Sequence, residues 1–134
     1  GFIGLSVEHG PANIARAALE GLAFSLYRIA QAVEVDGLRR AGRIYMSGGI
    51  THSDVWLQLA ADVFGCEVLA LENTEGSAKG STLLALLAMG IVSRPEEVSA
   101  PDAEYKVFTP NELNHKAYQG IFAHFEDTLH RLYH

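Results

Sequence analysis

The run Ser47-Gly48-Gly49-Ile50-Thr51-His52-Ser53-Asp54 holds the residue types best suited to gripping an anion. Two consecutive glycines let a backbone turn sharply and come close to a ligand. Ser53 is a natural N-cap, so a helix is predicted to begin just past the glycines, its first-turn amides and positive dipole end facing the same space. That chemistry suits a phosphate at the carboxyl end of a strand, where open α/β sheets bind ligands. A Gly-Gly pair also serves as a plain tight turn, and on spacing alone both readings stand. Other reactive types are less suggestive. His52 is expected as an exposed loop residue. His130 and His134 lie four apart at the end of the chain, but two ligands without a third make no metal site. Cys66 is expected as a small buried apolar residue, Trp56 as a core or interface aromatic, and Asp62 and Asp127 as solvent-face or capping carboxylates.

Positioning the glycine turn falls to a strand-helix-strand unit. Arg43-Ile44-Tyr45-Met46-Ser47 favours a buried extended strand. Val55, Trp56, Leu59, Ala60, Val63 and Phe64 then recur at helical spacing up to Gly65, where a helix commonly stops. Residues 66–71 form a second short strand, predicted parallel to the first with this helix crossing between them, and the first strand is expected at the centre of the sheet. The helix over residues 78–89 starts small and ends apolar all round, as expected of an element buried between others.

The flanking segments carry no chemistry of their own. Residues 1–7 look like a strand already under way, without an initiating methionine, as in a chain cut from something longer. Pro11 suits the first turn of a long helix. Its Ala15, Leu19, Leu22, Leu26, Ile29 and Val33 form the stripe expected to pack on the sheet, and Gly21 beside them is expected to admit another backbone. Arg39 and Arg40 read as solvated loop charges, residues 72–77 as a turn, Ser93-Arg94-Pro95-Glu96 as a capping box, and residues 100–104 as irregular. Residues 105–108 read as a short extended piece, and Thr109-Pro110-Asn111-Glu112 predicts a final helix capped by Thr109. Leu113, Ala117, Tyr118, Ile121, Phe122, Phe125, Leu129 and Leu132 should make its inward face.

At 134 residues and 49% hydrophobic, the chain can bury one core, and residues 1–134 are read as a single domain. A net charge of −6 with scattered Lys and Arg argues against a nucleic-acid surface or an anionic-membrane patch. One cysteine, no signal sequence and no apolar run of membrane-spanning length lead to the expectation of a cytoplasmic protein.

Three blocks together resemble a known family. Gly4-Leu5 followed by residues 13–20, Gly21 and Phe24 is similar to the C-terminal signature of the FGGY carbohydrate kinases. Residues 47–58 with residues 61–65 resemble that family's strand-GG-helix segment, and residues 75–81 its small-residue helix. The wording is closest to gluconate and xylulose kinases. The resemblance implies an α/β domain of ribonuclease-H-like, actin-like ATPase fold, truncated at its N-terminal strands, with parallel strands and packed helices. It further implies ATP with Mg²⁺ as the phosphoryl donor. Its nucleotide is held mainly by the C-terminal half of a kinase, and a sugar or sugar acid by an N-terminal half absent from this chain. Nucleotide contacts carry over to Gly48, Gly49 and Ser53, with Ile50 and Asp54 as further contacts. The family's catalytic aspartate and phosphate-gripping hairpin come before residue 1, so no catalytic residue and no protein metal ligand are expected here. The isolated chain is expected to be inactive and to self-associate through its uncovered face. The alternatives are a nucleotide-sensing or chaperone-like ATPase, which the block over residues 4–20 speaks against, and an actin-like-fold nucleotide-binding module without sugar kinase activity.

Overall fold

Two apolar stripes run side by side along the first helix, and only one of them is buried. The computed structural model describes residues 1–35, 42–71, 76–95 and 104–133. Helix α1 (Pro11–Val35) starts at the proline, whose missing N–H is no loss in a first turn. It turns Ala23 and Phe24 fully inward with Leu19 and Tyr27 beside them, while Leu22, Leu26 and Ile29 of the expected stripe stay exposed. The aromatic content decides this choice. Phe24 meets Tyr118, Phe122 and Phe125 at ring-centroid separations of 5.9, 5.8 and 5.5 Å, and Tyr27 meets Phe64 and Phe122 at 5.3 and 4.9 Å. Aromatic side chains bury more area than Leu or Ile, and each such pair adds about 0.5–1.5 kcal/mol beyond it. Thus α1 packs on other helices instead of on the sheet. A Cβ added at Gly21 would meet nothing, so no backbone approaches there.

The sheet has three strands in the order β1-β2-β3. Strands β1 (Arg43–Met46) and β2 (Glu67–Leu71) are parallel, with Ile44 opposite Val68 and Met46 opposite Ala70. Strand β3 (Tyr105–Phe108) runs antiparallel to β2, making the sheet mixed. Because β3 adds on the far side of β2, the expectation that β1 is central is corrected: β2 takes the middle and is buried at Val68, Leu69 and Ala70. Residues 1–7 form no strand, having no neighbour to complete a ladder. Gly4 adopts a positive φ of 76° and the Ser6 amide donates to His9 Nδ1 at 3.1 Å.

Helix α2 (Asp54–Phe64) crosses between the two parallel strands as predicted. It is the centre of the protein, buried on both sides. Trp56, Leu57, Ala60 and Ala61 pack toward the sheet with Val68 and Ala70, while Leu59, Val63 and Phe64 pack toward α1 and helix α4 (Glu112–Tyr133). Helix α3 (Gly76–Ala88) departs from expectation, with Leu84 68% exposed. Leu84, Ala85 and Ala88 face solvent, while Leu83, Leu86 and Leu87 are only half-buried. The last helix is capped by Asn111, not Thr109: Asn111 Oδ1 accepts from the amides of Leu113 and Asn114 at 3.0 and 3.1 Å. Tyr118, Phe122 and Phe125 face inward, whereas Leu113, Ile121 and Leu132 of the expected face are exposed. No described helix is long and apolar enough to cross a membrane. The calls on Arg39, Arg40, residues 72–75, residues 100–103, the end of the capping box at Glu96 and the histidine pair's His134 fall outside the described residues.

Candidate functional site

The glycine turn needs glycine at one position and has room at the other. Gly48 has φ 88° and ψ −167°, a region that side-chain-bearing residues enter only at about 1–3 kcal/mol. Its carbonyl accepts both the Thr51 amide at 3.0 Å and the Thr51 hydroxyl at 2.7 Å, locking the turn. Gly49 opens a short 3-10 turn, Gly49–His52, and a Cβ added to it would meet nothing within 4 Å. This turn fills the space between the glycines and Ser53, which takes the N-cap position as predicted. Thr51 draws the chain into an extra turn, and the helix starts at Asp54.

Ser53 caps α2, its Oγ accepting from the Trp56 amide at 3.3 Å, so the hydroxyl that the family resemblance implies as a nucleotide contact is engaged with the helix. Ile50 is half-buried and packs against the core beside Trp56. His52 is exposed, and Asp54 stands exposed in the first turn of α2. The turn lies beyond the carboxyl ends of β1 and β2, next to an open polar cavity of about 360 Å³ lined by Thr51, His52, Asp54, Ala70, Leu71 and Lys106. Lys106 is the member that sequence reasoning missed. Its Nζ donates to both Asp54 carboxylate oxygens at 2.7 Å, across 52 residues of sequence. The available signal was period two: Lys106 and Phe108 share one face of β3, and Phe108 packs into the core under α2.

Asp54 also borders a second cavity of about 480 Å³, whose wall includes Arg16, Gln58, Asp62 and Asn114. Here the reading of Asp62 as a solvent-face residue is corrected. It is 4% exposed and accepts from Gln58 Nε2 at 2.9 Å, the Asn111 amide at 2.8 Å and Asn114 Nδ2 at 2.8 Å. A buried carboxylate persists only with such partners, and two of the three, Asn111 and Asn114, come from the start of α4, 49 and 52 residues on. Above it, the Arg16 guanidinium donates to the Tyr118 hydroxyl and to Glu20 Oε1, the latter at 2.7 Å, and Tyr118 donates to Glu20 at 2.9 Å. Those hydrogen bonds raise the Arg16 pKa, holding its charge in place.

Burial, aided by Glu20, pushes the Tyr118 phenol above its ordinary range. A raised folded pKa contributes stability that is complete below the unfolded value of about 10 and is lost as pH rises through the folded one. Tyr118→Phe is expected to cost about 1 kcal/mol at neutral pH, and thermal melts should show that gap narrowing as the pH is raised past the ordinary phenol value. A gap that holds constant into strong alkali would show that the phenol's proton is not held by the fold.

Comparison with known proteins matches this arrangement. Residues 1–89 match the pattern of the FGGY family of carbohydrate kinases, C-terminal domain. The chain is 36% identical over 130 residues to a xylulose kinase of Staphylococcus epidermidis, covering 93% of this chain and 25% of that protein. It is 35% identical over 126 residues to a gluconokinase of Bacillus licheniformis, covering 92% and 24%. In three dimensions it superposes on the crystal structure of gluconate kinase from Lactobacillus acidophilus with a TM-score of 0.80 and 27% identity, covering 98% of this chain and 27% of that one. The chain thus spans about a quarter of the length of the relatives it matches, and its α/β architecture is that of the actin-like ATPases. With 89 residues of pattern, a shared fold and the glycine turn in the expected place, the chain belongs to the C-terminal domain of the FGGY family of carbohydrate kinases.

Proposed function

We propose that this chain belongs to the C-terminal, nucleotide-binding half of an ATP-dependent kinase that moves the γ-phosphoryl of ATP to a hydroxyl of a sugar or sugar acid, gluconate or xylulose. The observation that carries the reading is the Gly48-Gly49 turn beside a polar cavity at the carboxyl ends of two parallel strands, the place where such sheets bind ligands. Gly48 and Gly49 give the nucleotide backbone without side chains to clear, Ser53 sets the amino end of α2, and Ile50 and Asp54 complete the rim. Bound ATP supplies the transferable phosphoryl group and brings Mg²⁺ on its own phosphates. Among the described residues, no group of three His, Cys, Asp or Glu side chains is placed to hold a metal. The sugar would be held by a part of the kinase beyond these residues, and a cytoplasmic location suits that chemistry. A homo-oligomer is the form in which Leu22, Leu26 and Ile29 of α1 would be covered; light scattering that stays monomeric across a concentration series would sink that part.

The testing experiment is an ATP titration of the chain and its Gly49→Val variant by calorimetry. The parent is expected to bind in the millimolar range, because only part of the site is present. The open space at Gly49 leaves the fold able to take the valine, so the variant should melt near the parent while losing the nucleotide. Unchanged binding in Gly49→Val would move the site elsewhere and favour a module of the same fold with a different ligand.

A further inference from the structure

The polar cavity beside the glycine turn has a charge problem that β3 resolves. Asp54 stands in the first turn of α2, where a carboxylate complements the helix dipole. The same carboxylate lines the cavity, and left bare it would cancel the positive helix end for any phosphate arriving there. Lys106 reaches over from β3 and takes both Asp54 oxygens at 2.7 Å. Its ammonium also lies 5.9 Å from the centre of the Phe108 ring, which adds a cation–π attraction on the strand side. Among the described residues that line these two cavities, the other Lys or Arg is Arg16, which is committed to Glu20 and Tyr118. Neutralisation of Asp54 therefore falls to Lys106. Both partners are about half exposed, so the pair adds little to stability, and its geometry asks for another role.

Building on the nucleotide-site reading above, we propose that Lys106 is a positioning residue for the anionic part of the nucleotide: by clamping and neutralising Asp54 it keeps the cavity at the amino end of α2 open to phosphate. The role is electrostatic and acts through Asp54. Adenosine, which has no phosphate, should not sense it.

The test compares the full 134-residue chain with Lys106→Met, Lys106→Arg, Asp54→Asn and the Asp54→Asn/Lys106→Met double variant, each titrated with ATP and with adenosine at low salt and checked by thermal melting. Lys106→Met is expected to weaken ATP about tenfold, as one uncompensated charge close to a polyanion does, with adenosine affinity and melting unchanged. Lys106→Arg should retain binding. Asp54→Asn alone should bind ATP more tightly than the parent, since it removes the offending charge and frees the Lys106 ammonium, and the double variant should recover most of the affinity that Lys106→Met loses. A merely structural clamp gives a different pattern, with Asp54→Asn as harmful as Lys106→Met and no recovery in the double variant. That pattern, a parallel loss of adenosine, or an unchanged ATP affinity in Lys106→Met would overturn the proposal. If Gly49→Val abolishes ATP binding while Lys106→Met leaves it intact, the inference about Lys106 fails alone; if both variants bind ATP like the parent, the nucleotide site fails and takes this inference with it.

Discussion

The 134-residue chain is expected to transfer no detectable phosphoryl group from Mg-ATP to gluconate or xylulose. Among the described residues, the two carboxylates that line the cavities at the amino end of α2, Asp54 and Asp62, are both occupied. Asp54 has each oxygen on Lys106, and buried Asp62 accepts three hydrogen bonds, two of which tie α2 to the start of α4. Neither is free to take a proton from an attacking hydroxyl. A positioned general base contributes about 10²–10⁴-fold, and holding two reactants in line contributes about as much again or more. A coupled assay that records ADP release should therefore show no sugar-dependent rate, while a polypeptide carrying this chain at the full length of its relatives should show one. Sugar-dependent turnover by the 134 residues alone would place a working base among them and undo this account.

Gly65→Ala should be among the most damaging single changes to the fold. Gly65 ends α2 with φ 66° and ψ 30°, and its amide donates to the Ala61 carbonyl. An alanine in that left-handed conformation costs about 1–2 kcal/mol. The larger cost is steric: its Cβ would lie 2.4 Å from His115 Cε1 and 2.6 Å from Nε2. That ring is not free to swing away. Nδ1 donates to the Asp62 carbonyl at 2.9 Å, and Nε2 meets Gln119 Nε2 at 3.1 Å. Forcing extra atoms into packed structure costs about 1–3 kcal/mol more, so the melting temperature should fall by roughly 10 °C or more. Adding His115→Ala to the variant should return the steric part and leave the left-handed part, apart from the hydrogen bonds that His115 itself gives up. A single variant that melts within about 2 °C of the parent would show that the ring yields freely.

What was legible from the residues alone was local chemistry and order. The Ser53 cap, the Gly65 stop, the strand-helix-strand unit and its parallel pairing all follow from rules that act within a few residues or on a single crossover. The three family blocks carried the fold and the glycine turn for the same reason, since each is a short contiguous string. The tertiary structure decided whatever depends on a partner distant in sequence. Periodicity pointed to one stripe on α1, and the aromatic rings of α4 drew in the neighbouring face with Phe24 and Tyr27 instead. The central strand was decided by where β3 added, and α3 stayed half-exposed. Asp62 looked like any helix carboxylate until the amide of Asn111 and the side chain of Asn114 arrived from α4. Lys106 looked like a polar residue on a short strand until Asp54 met it across 52 residues. Burial and charge pairing are properties of two segments at once, so one segment's residue types set what is possible and the packing of the other sets what happens.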